Sequence, residues 1–212
     1  MKFKDFLTII STIKLKHLGG LDTQLKMTPI ERLQLDLSKI IAKNPKEAAV
    51  LMLMYPNKHQ ETCFLLTKRA NYKGTHSAQI SFPGGKKDLK DTSFSETALR
   101  ETFEEVNVSA TEINIIKNLT KTYISPSNFW VYPFIGIMHK TPTFKKNYEV
   151  ASLIEVTLQQ LLDTKNVSSV CIKTSYMNNV EVPCFKFGDH IVWGATAMIL
   201  NEVKELFLEF IK

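Results

Sequence analysis

Apolar positions along the chain fall into two patterns, a helical repeat and continuous runs of strand length. Phe3, Phe6, Leu7, Ile10 and Ile13 recur at three- and four-residue spacing, which predicts a short amphipathic helix ended by Gly19-Gly20. Thr28-Pro29-Ile30-Glu31 reads as a second helix start, with Thr28 as N-cap, Pro29 in the first helical position and Glu31 closing a capping box. That helix runs toward Lys43 and stops at Asn44-Pro45. Ala48 to Tyr55 is continuously apolar over strand length, turns at Pro56-Asn57, and pairs back with Thr62 to Lys68. After a loop from Asn71 to Ser77, a short β segment from Gln79 to Phe82 ends at Pro83-Gly84-Gly85. Ser93 to Val106 reads as a helix, Ile113 to Thr120 and Trp130 to His139 as strands, and Leu158 to Leu162 as a helix. Val170 to Lys173 and Glu181 to Phe187 read as strands, and Ala195 to Ile211 closes the chain as an amphipathic helix.

Helices and strands interleave without a repeat, linker or low-complexity tract. The expectation is one α/β domain over residues 1–212, a mixed β-sheet sandwiched between α-helices, with residues 1–45 as a helical extension packed on it. Apolar residues at 44% and charged residues at 23% exclude a disordered or fibrous chain. The longest apolar stretch, Phe129 to Met138, is about half of what a membrane-spanning helix needs. The N-terminus lacks a small-x-small cleavage site, and Cys63, Cys171 and Cys184 form no C-x-x-C pair. A cytoplasmic protein with reduced thiols is expected. The net charge of +6 is compatible with a lysine-rich surface or with a phosphate-bearing partner. Basic residues neither cluster nor alternate with aromatics, so no nucleic-acid partner and no membrane partner is expected.

The segment from Gly84 to Val108 concentrates the chemistry. Ser93 caps its helix, with Glu96 as capping-box partner. At about 100° per residue, Glu101, Glu104 and Glu105 share an arc beside the buried stripe of Ala98, Leu99, Thr102, Phe103 and Val106. Carboxylates that close repel and raise one another's pKa unless a cation joins them. Hard oxygen ligands on a rigid helix suit Mg²⁺ or Mn²⁺. Taken alone, the same acids also fit a solvated helix face with Arg100 paired to Glu104.

With its glycines and spacing, the segment resembles the Nudix box, G-x5-E-x7-R-E-U-x-E-E-x-G-U, in which U is a bulky aliphatic residue. Gly85, Arg100, Glu101, Glu104, Glu105 and Val108 match. Asp91 stands for the early Glu with one extra residue before Arg100, Thr102 replaces an aliphatic, and Asn107 replaces the late Gly. Leu65-Leu66-Thr67-Lys68-Arg69 and His76-Ser77-Ala78-Gln79-Ile80-Ser81-Phe82-Pro83-Gly84-Gly85 resemble the corresponding element of the coenzyme A pyrophosphatases. The likeness continues through Lys26-Met27-Thr28-Pro29, Tyr123 to Phe129, Val131-Tyr132-Pro133 and Ile191 to Ala197. Ala70, Ala78 and Lys73-Gly74 depart from that pattern.

The resemblance implies a Nudix fold and metal-dependent hydrolysis of coenzyme A (CoA) or acyl-CoA to 3′,5′-ADP and (acyl-)4′-phosphopantetheine. Glu101 and Glu105 are the expected metal ligands, with Glu104 as a further ligand or the base and Gly84 offering its carbonyl. Arg100 orients a glutamate or makes a surface salt bridge, and Glu149 is a candidate late catalytic acid ahead of a helix-like segment. Arg69 grips a phosphate or closes a strand-end salt bridge. Lys73, Gln79 and Phe82 line the substrate loop, and His76 either lines it or is a solvent-exposed loop residue. Trp130 and Trp193 read as core residues. Two alternatives stay open: a Nudix enzyme for another nucleoside diphosphate derivative (ADP-ribose, NADH or a dinucleoside polyphosphate) and a non-catalytic nucleotide-binding module. A small-molecule substrate is the expected partner, and a homodimer is one possible assembly.

Overall fold

A computed structural model describes residues 1–28, 37–70, 79–173 and 179–210. Among these, the order of elements is α1 (Phe3–Leu15), α2 (Gly20–Leu25), α3 (Leu37–Ala42), β1 (Lys46–Pro56), β2 (Thr62–Arg69), β3 (Ile80–Ser81), β4 (Gly84–Lys86) and α4 (Phe94–Val106). There follow β5 (Asn114–Asn118), β6 (Thr122–Ile124), β7 (Phe129–Ile137), β8 (Val150–Thr157), α5 (Leu158–Leu162), β9 (Val167–Ile172), β10 (Val180–Phe187), β11 (His190–Trp193) and α6 (Ala195–Phe207).

Strands β3-β2-β1-β7-β5 run in that order through a mixed sheet, with β4, β6 and β8 pairing onto β1, β7 and β2. The β1–β7 pair is parallel and the others are antiparallel. Strands β9, β10 and β11 form a second antiparallel sheet. Alternate residues of β1 feed two cores. Met52 and Met54 join Phe64, Leu66 and Ile135 beneath α1 and α6, where Phe6 and Phe207 meet at 5.9 Å between ring centroids. Leu51, Leu53 and Tyr55 join Leu65 and Phe134 beneath α4, through Ala98 and Val106. A strand covered on both faces must be apolar throughout, which is why β1 shows no alternation. The expected α/β arrangement, a mixed sheet between helices, is the one observed.

Several boundaries differ from expectation. The first helix stops at Leu15, and the unexpected α2 follows Gly19. Of the helix expected from Thr28 to Lys43, α3 is present, while Pro29 and Glu31 lie outside the described residues. The last helix yields at Phe207 to a 3-10 turn over Leu208–Phe210. Glu149 precedes a strand, β8, rather than a helix. No turn separates β8 from α5: its last residue, Thr157, is itself the cap of that helix, in a capping box with Gln160. Strands β4, β6 and β11 are three or four residues long and exist through pairing with β1, β7 and β10.

Candidate active site

Helix α4 starts at Ser93, whose hydroxyl accepts from the Glu96 N–H. The Glu96 carboxylate does not close the expected box on Ser93. It accepts instead from the Thr92 backbone N–H at 2.7 Å and from the Thr92 hydroxyl. Asn107 ends the helix in the left-handed region at φ 59°, the role that a glycine fills most cheaply. Thr102, at an aliphatic position, is fully buried and spends its hydroxyl on the Ala98 carbonyl at 2.7 Å.

Strand β4 brings the glycines to the acids. A side chain at Gly84 (φ 151°) would stand 2.3 Å from the Ala49 carbonyl oxygen, and one at Gly85 would stand 2.5 Å from the Glu101 carboxyl carbon. Glycine at 84 lets β4 lie against the β1 backbone, and a side chain at 85 would displace the Glu101 carboxylate. The Gly84 N–H donates to Glu105 at 3.3 Å.

Arg100 organises the outer part of the site. Its Nε and Nη2 donate to the two oxygens of Asp91 at 2.9 Å each, a bidentate pair. Nη2 also donates to the Lys86 carbonyl at 3.1 Å, and Nη1 to Glu101 at 2.9 Å and Glu104 at 3.2 Å. Buried Asp91 further accepts from the Thr97 hydroxyl and the Asp88 N–H, both at 2.8 Å. These contacts, the Arg100 fork first, hold its carboxyl well below the usual carboxylate range. Arg100 therefore contacts Asp91, Glu101 and Glu104 at once. Asp91, treated at the sequence level only as a box departure, is what fixes Arg100 in place. Its spacing to the arginine was the available signal.

Glu105 is nearly buried. Arg69 approaches it at 3.8 Å and reaches Glu149, also at 3.8 Å, with its other terminal nitrogen. Burial pushes the Glu105 carboxyl up to about 7, aided by Glu101 and Glu149 and opposed by Arg69 and the Gly84 N–H. Burial likewise raises Glu101, against the pull of Arg100. Among the described residues no trio of acidic side chains is gathered around one point. The sequence suggested three converged carboxylates. Instead, Arg100 draws Glu101 and Glu104 to itself and Arg69 faces Glu105, so guanidinium groups relieve the crowding.

A cleft of about 650 Å³ adjoins β4, with Arg69, Gln79, Phe82, Gly84 and Gly85 in its wall. Phe82 is otherwise buried against Phe64, at 6.5 Å between centroids. Lys73 and His76 lie outside the described residues. The two tryptophans correct the sequence reading. Trp193 is half-buried and lines the cleft, while half-buried Trp130 packs on Tyr123 at 5.3 Å beneath the Lys121 ammonium. Lys39, Lys43 and Lys86 add positive charge to the lining.

Hard oxygen donors one helical turn apart, a glycine cradle against Glu101 and an under-satisfied buried Glu105 fit a divalent cation. Comparison places this fold and site: the chain belongs to the Nudix family of hydrolases, with residues 45–170 matching the NUDIX domain. Nudix hydrolases generally use divalent cations such as Mg²⁺ or Mn²⁺.

Among its relatives is the uncharacterized Nudix hydrolase NudL of Yersinia enterocolitica, 34% identical over 163 residues, covering 76% of this chain and 82% of that protein. NudL of Yersinia pestis is 33% identical over 146 residues, covering 68% and 72%. Of solved structures, the Nudix hydrolase RenU from M. smegmatis superposes with a TM-score of 0.55 at 16% identity, over 79% of this chain and 88% of that one. A MutT/nudix family protein from Enterococcus faecalis does so with a TM-score of 0.53 at 15% identity, over 92% and 76%. These structural likenesses show the fold alone. The protein is thus an enzyme acting on a pyrophosphate bond. Among the described residues no helix is long and apolar enough to cross a membrane.

Proposed function

We propose that this protein hydrolyses the diphosphate of CoA or acyl-CoA, releasing 3′,5′-ADP and (acyl-)4′-phosphopantetheine, with the whole chain acting as one catalytic unit. One observation carries the reading: chain segments far apart in sequence that resemble the coenzyme A pyrophosphatases, around Met27, Arg69, Tyr123 and Trp193, meet in one cleft beside β4. That cleft offers cations and apolar surface together, which suits a phosphorylated nucleotide carrying an uncharged arm.

In this reading Glu101 and Glu105 hold the cation, joined by the Gly84 carbonyl, and Glu104 serves as the base. The bound ion supplies charge neutralisation and water activation. Arg69 binds a phosphate oxygen, and Glu149 steadies Arg69 or serves as a late acid. Gln79 and Phe82 line the substrate's path, with Lys73 and His76 assigned to the same loop. Arg100, fixed by Asp91, positions Glu101 and Glu104. A water oxygen forms the new bond to one phosphorus, the bridging P–O bond breaks, and the water's proton passes to Glu104, the most exposed of Glu101, Glu104 and Glu105. The substrate is a small molecule, the setting cytoplasmic, and a homodimer is compatible with this scheme.

The test is kcat/KM for CoA, acetyl-CoA, dephospho-CoA, ADP-ribose and NADH under one Mn²⁺ condition. CoA or its thioester should lead. Dephospho-CoA, lacking a phosphate for the cleft's cations, should be about 10- to 150-fold poorer through KM. ADP-ribose or NADH ahead by about tenfold would overturn the CoA assignment.

A further inference from the structure

We infer that the wall of the cleft that discriminates between substrates is built by the chain segments flanking the Nudix-matched region, and that Glu202 is the positioning residue that holds it. The inference rests on the reading of this cleft as the substrate site. The NUDIX match covers residues 45–170. Leu25, Met27 and Ile40 lie before it, Trp193, Thr196 and Met198 lie after it, and all six line the cleft. Strand β6 lines it as well, through Tyr123 and Ile124.

Glu202 on α6 is 1% exposed. Its carboxylate accepts from the Gly20 N–H at 3.1 Å, Gln24 Nε2 at 3.2 Å, the Thr120 N–H at 3.1 Å and the Thr120 hydroxyl. Gln24 is fully buried beside it. It donates to the Thr120 carbonyl and accepts from the buried Thr122 hydroxyl, both at 2.8 Å. One side chain therefore fastens α2, α6 and the chain entering β6 to one another. A second layer runs alongside. Asn201 donates to the Thr23 carbonyl at 2.8 Å, and Glu205 receives the Thr23 hydroxyl at 3.1 Å and Lys26 at 2.7 Å.

A buried carboxylate is costly, and an apolar side chain would fill the same volume at lower cost. What the carboxylate adds is direction: each acceptor lobe fixes where a particular donor stands. Gln24 lies between Thr23 and the cleft-lining pair Leu25 and Met27, so holding Gln24 sets where those two face. The hydrogen bonds of Glu202 go to α2 and Thr120, and none goes to α4 or β4. Losing the hub should therefore loosen substrate binding and leave the chemical step alone.

The experiment measures steady-state kinetics of the full chain with Mn²⁺, on whichever nucleoside diphosphate derivative the wild type turns over fastest. That choice keeps the test standing if the CoA assignment fails. Glu202→Gln puts an NH₂ group against N–H donors. It should raise KM about tenfold, with kcat within about twofold and Mn²⁺ affinity by calorimetry unchanged. Thr122→Val is nearly isosteric, removes only the hydroxyl that anchors Gln24, and should raise KM about threefold. Should Glu202→Gln fail to fold, Thr122→Val decides. An unchanged KM in the folded variants overturns the inference. So does a parallel loss of kcat, Mn²⁺ affinity and melting temperature, which would mark the hub as general scaffolding.

Discussion

Glu105 and Glu202 are both carboxylates almost removed from water, at 4% and 1% exposure, yet they are treated in opposite ways. Four donors reach Glu202. Among the described residues, Glu105 has one backbone N–H at 3.3 Å and the Arg69 guanidinium at 3.8 Å. A satisfied carboxylate has no lone pairs to spare and fixes structure. One left short of partners is held near neutrality and keeps its oxygens for a cation. In the proposed scheme the β4–α4 unit carries the chemistry, and the Glu202 hub supports the wall of the cleft.

The most severe break should come from Glu105→Gln. The amide keeps the shape and removes the charge the cation needs, so kcat should fall about a thousandfold or more. Far-ultraviolet circular dichroism should be unchanged. Near-normal turnover in the folded variant would place the metal elsewhere.

The second prediction concerns stability without metal. Glu105 takes up its proton near 7 in the fold and near 4.5 in the unfolded chain, so the fold holds the extra proton in between. Stability from this group is full below about 4.5 and is lost as pH rises through 7, by about 3 kcal/mol in all. In EDTA, calorimetric scans should show wild type falling behind Glu105→Gln by roughly 5–10 °C in Tm between pH 5 and 8. Mn²⁺ should recover wild type at the alkaline end. Parallel pH profiles for the two proteins would show that Glu105 is not held in this under-satisfied state.

The smallest of the three effects tests the support of the chemical end. Asp91→Asn weakens the bidentate hold on Arg100, which in turn positions Glu101 and Glu104. Loss of such an outer partner should cost about 10- to 100-fold in kcat or metal affinity. Wild-type values for both would mean that Arg100 stays in place without it.

The chemical end was readable because its parts are close in sequence and obey helical geometry. The Ser93 cap and the arc of Glu101, Glu104 and Glu105 follow from spacing alone, and Asn107 entered through the likeness to the Nudix box. What spacing does not carry is which side chain answers which. Arg100 has several acids within reach and takes Asp91, Glu101 and Glu104 together. The carboxylates, expected to converge, are parted by guanidinium groups. Trp193, read as a core residue, lines the cleft because β11 is fixed by β10 and not by its own sequence.

By itself the sequence determined the elements with strong local signals: the doubly covered β1, the capped helix α4, the glycine pair and the acids after it. Local periodicity, capping and steric freedom act over a turn or two, and they are written in adjacent residues. The tertiary structure alone decided the rest. Strands β4 and β6 exist because β1 and β7 offer edges to pair with. The link from Gly20 and Gln24 to Glu202 exists because folding brings those remote positions within 3.2 Å. Contacts of that kind depend on the whole packing arrangement, and no local pattern announces them.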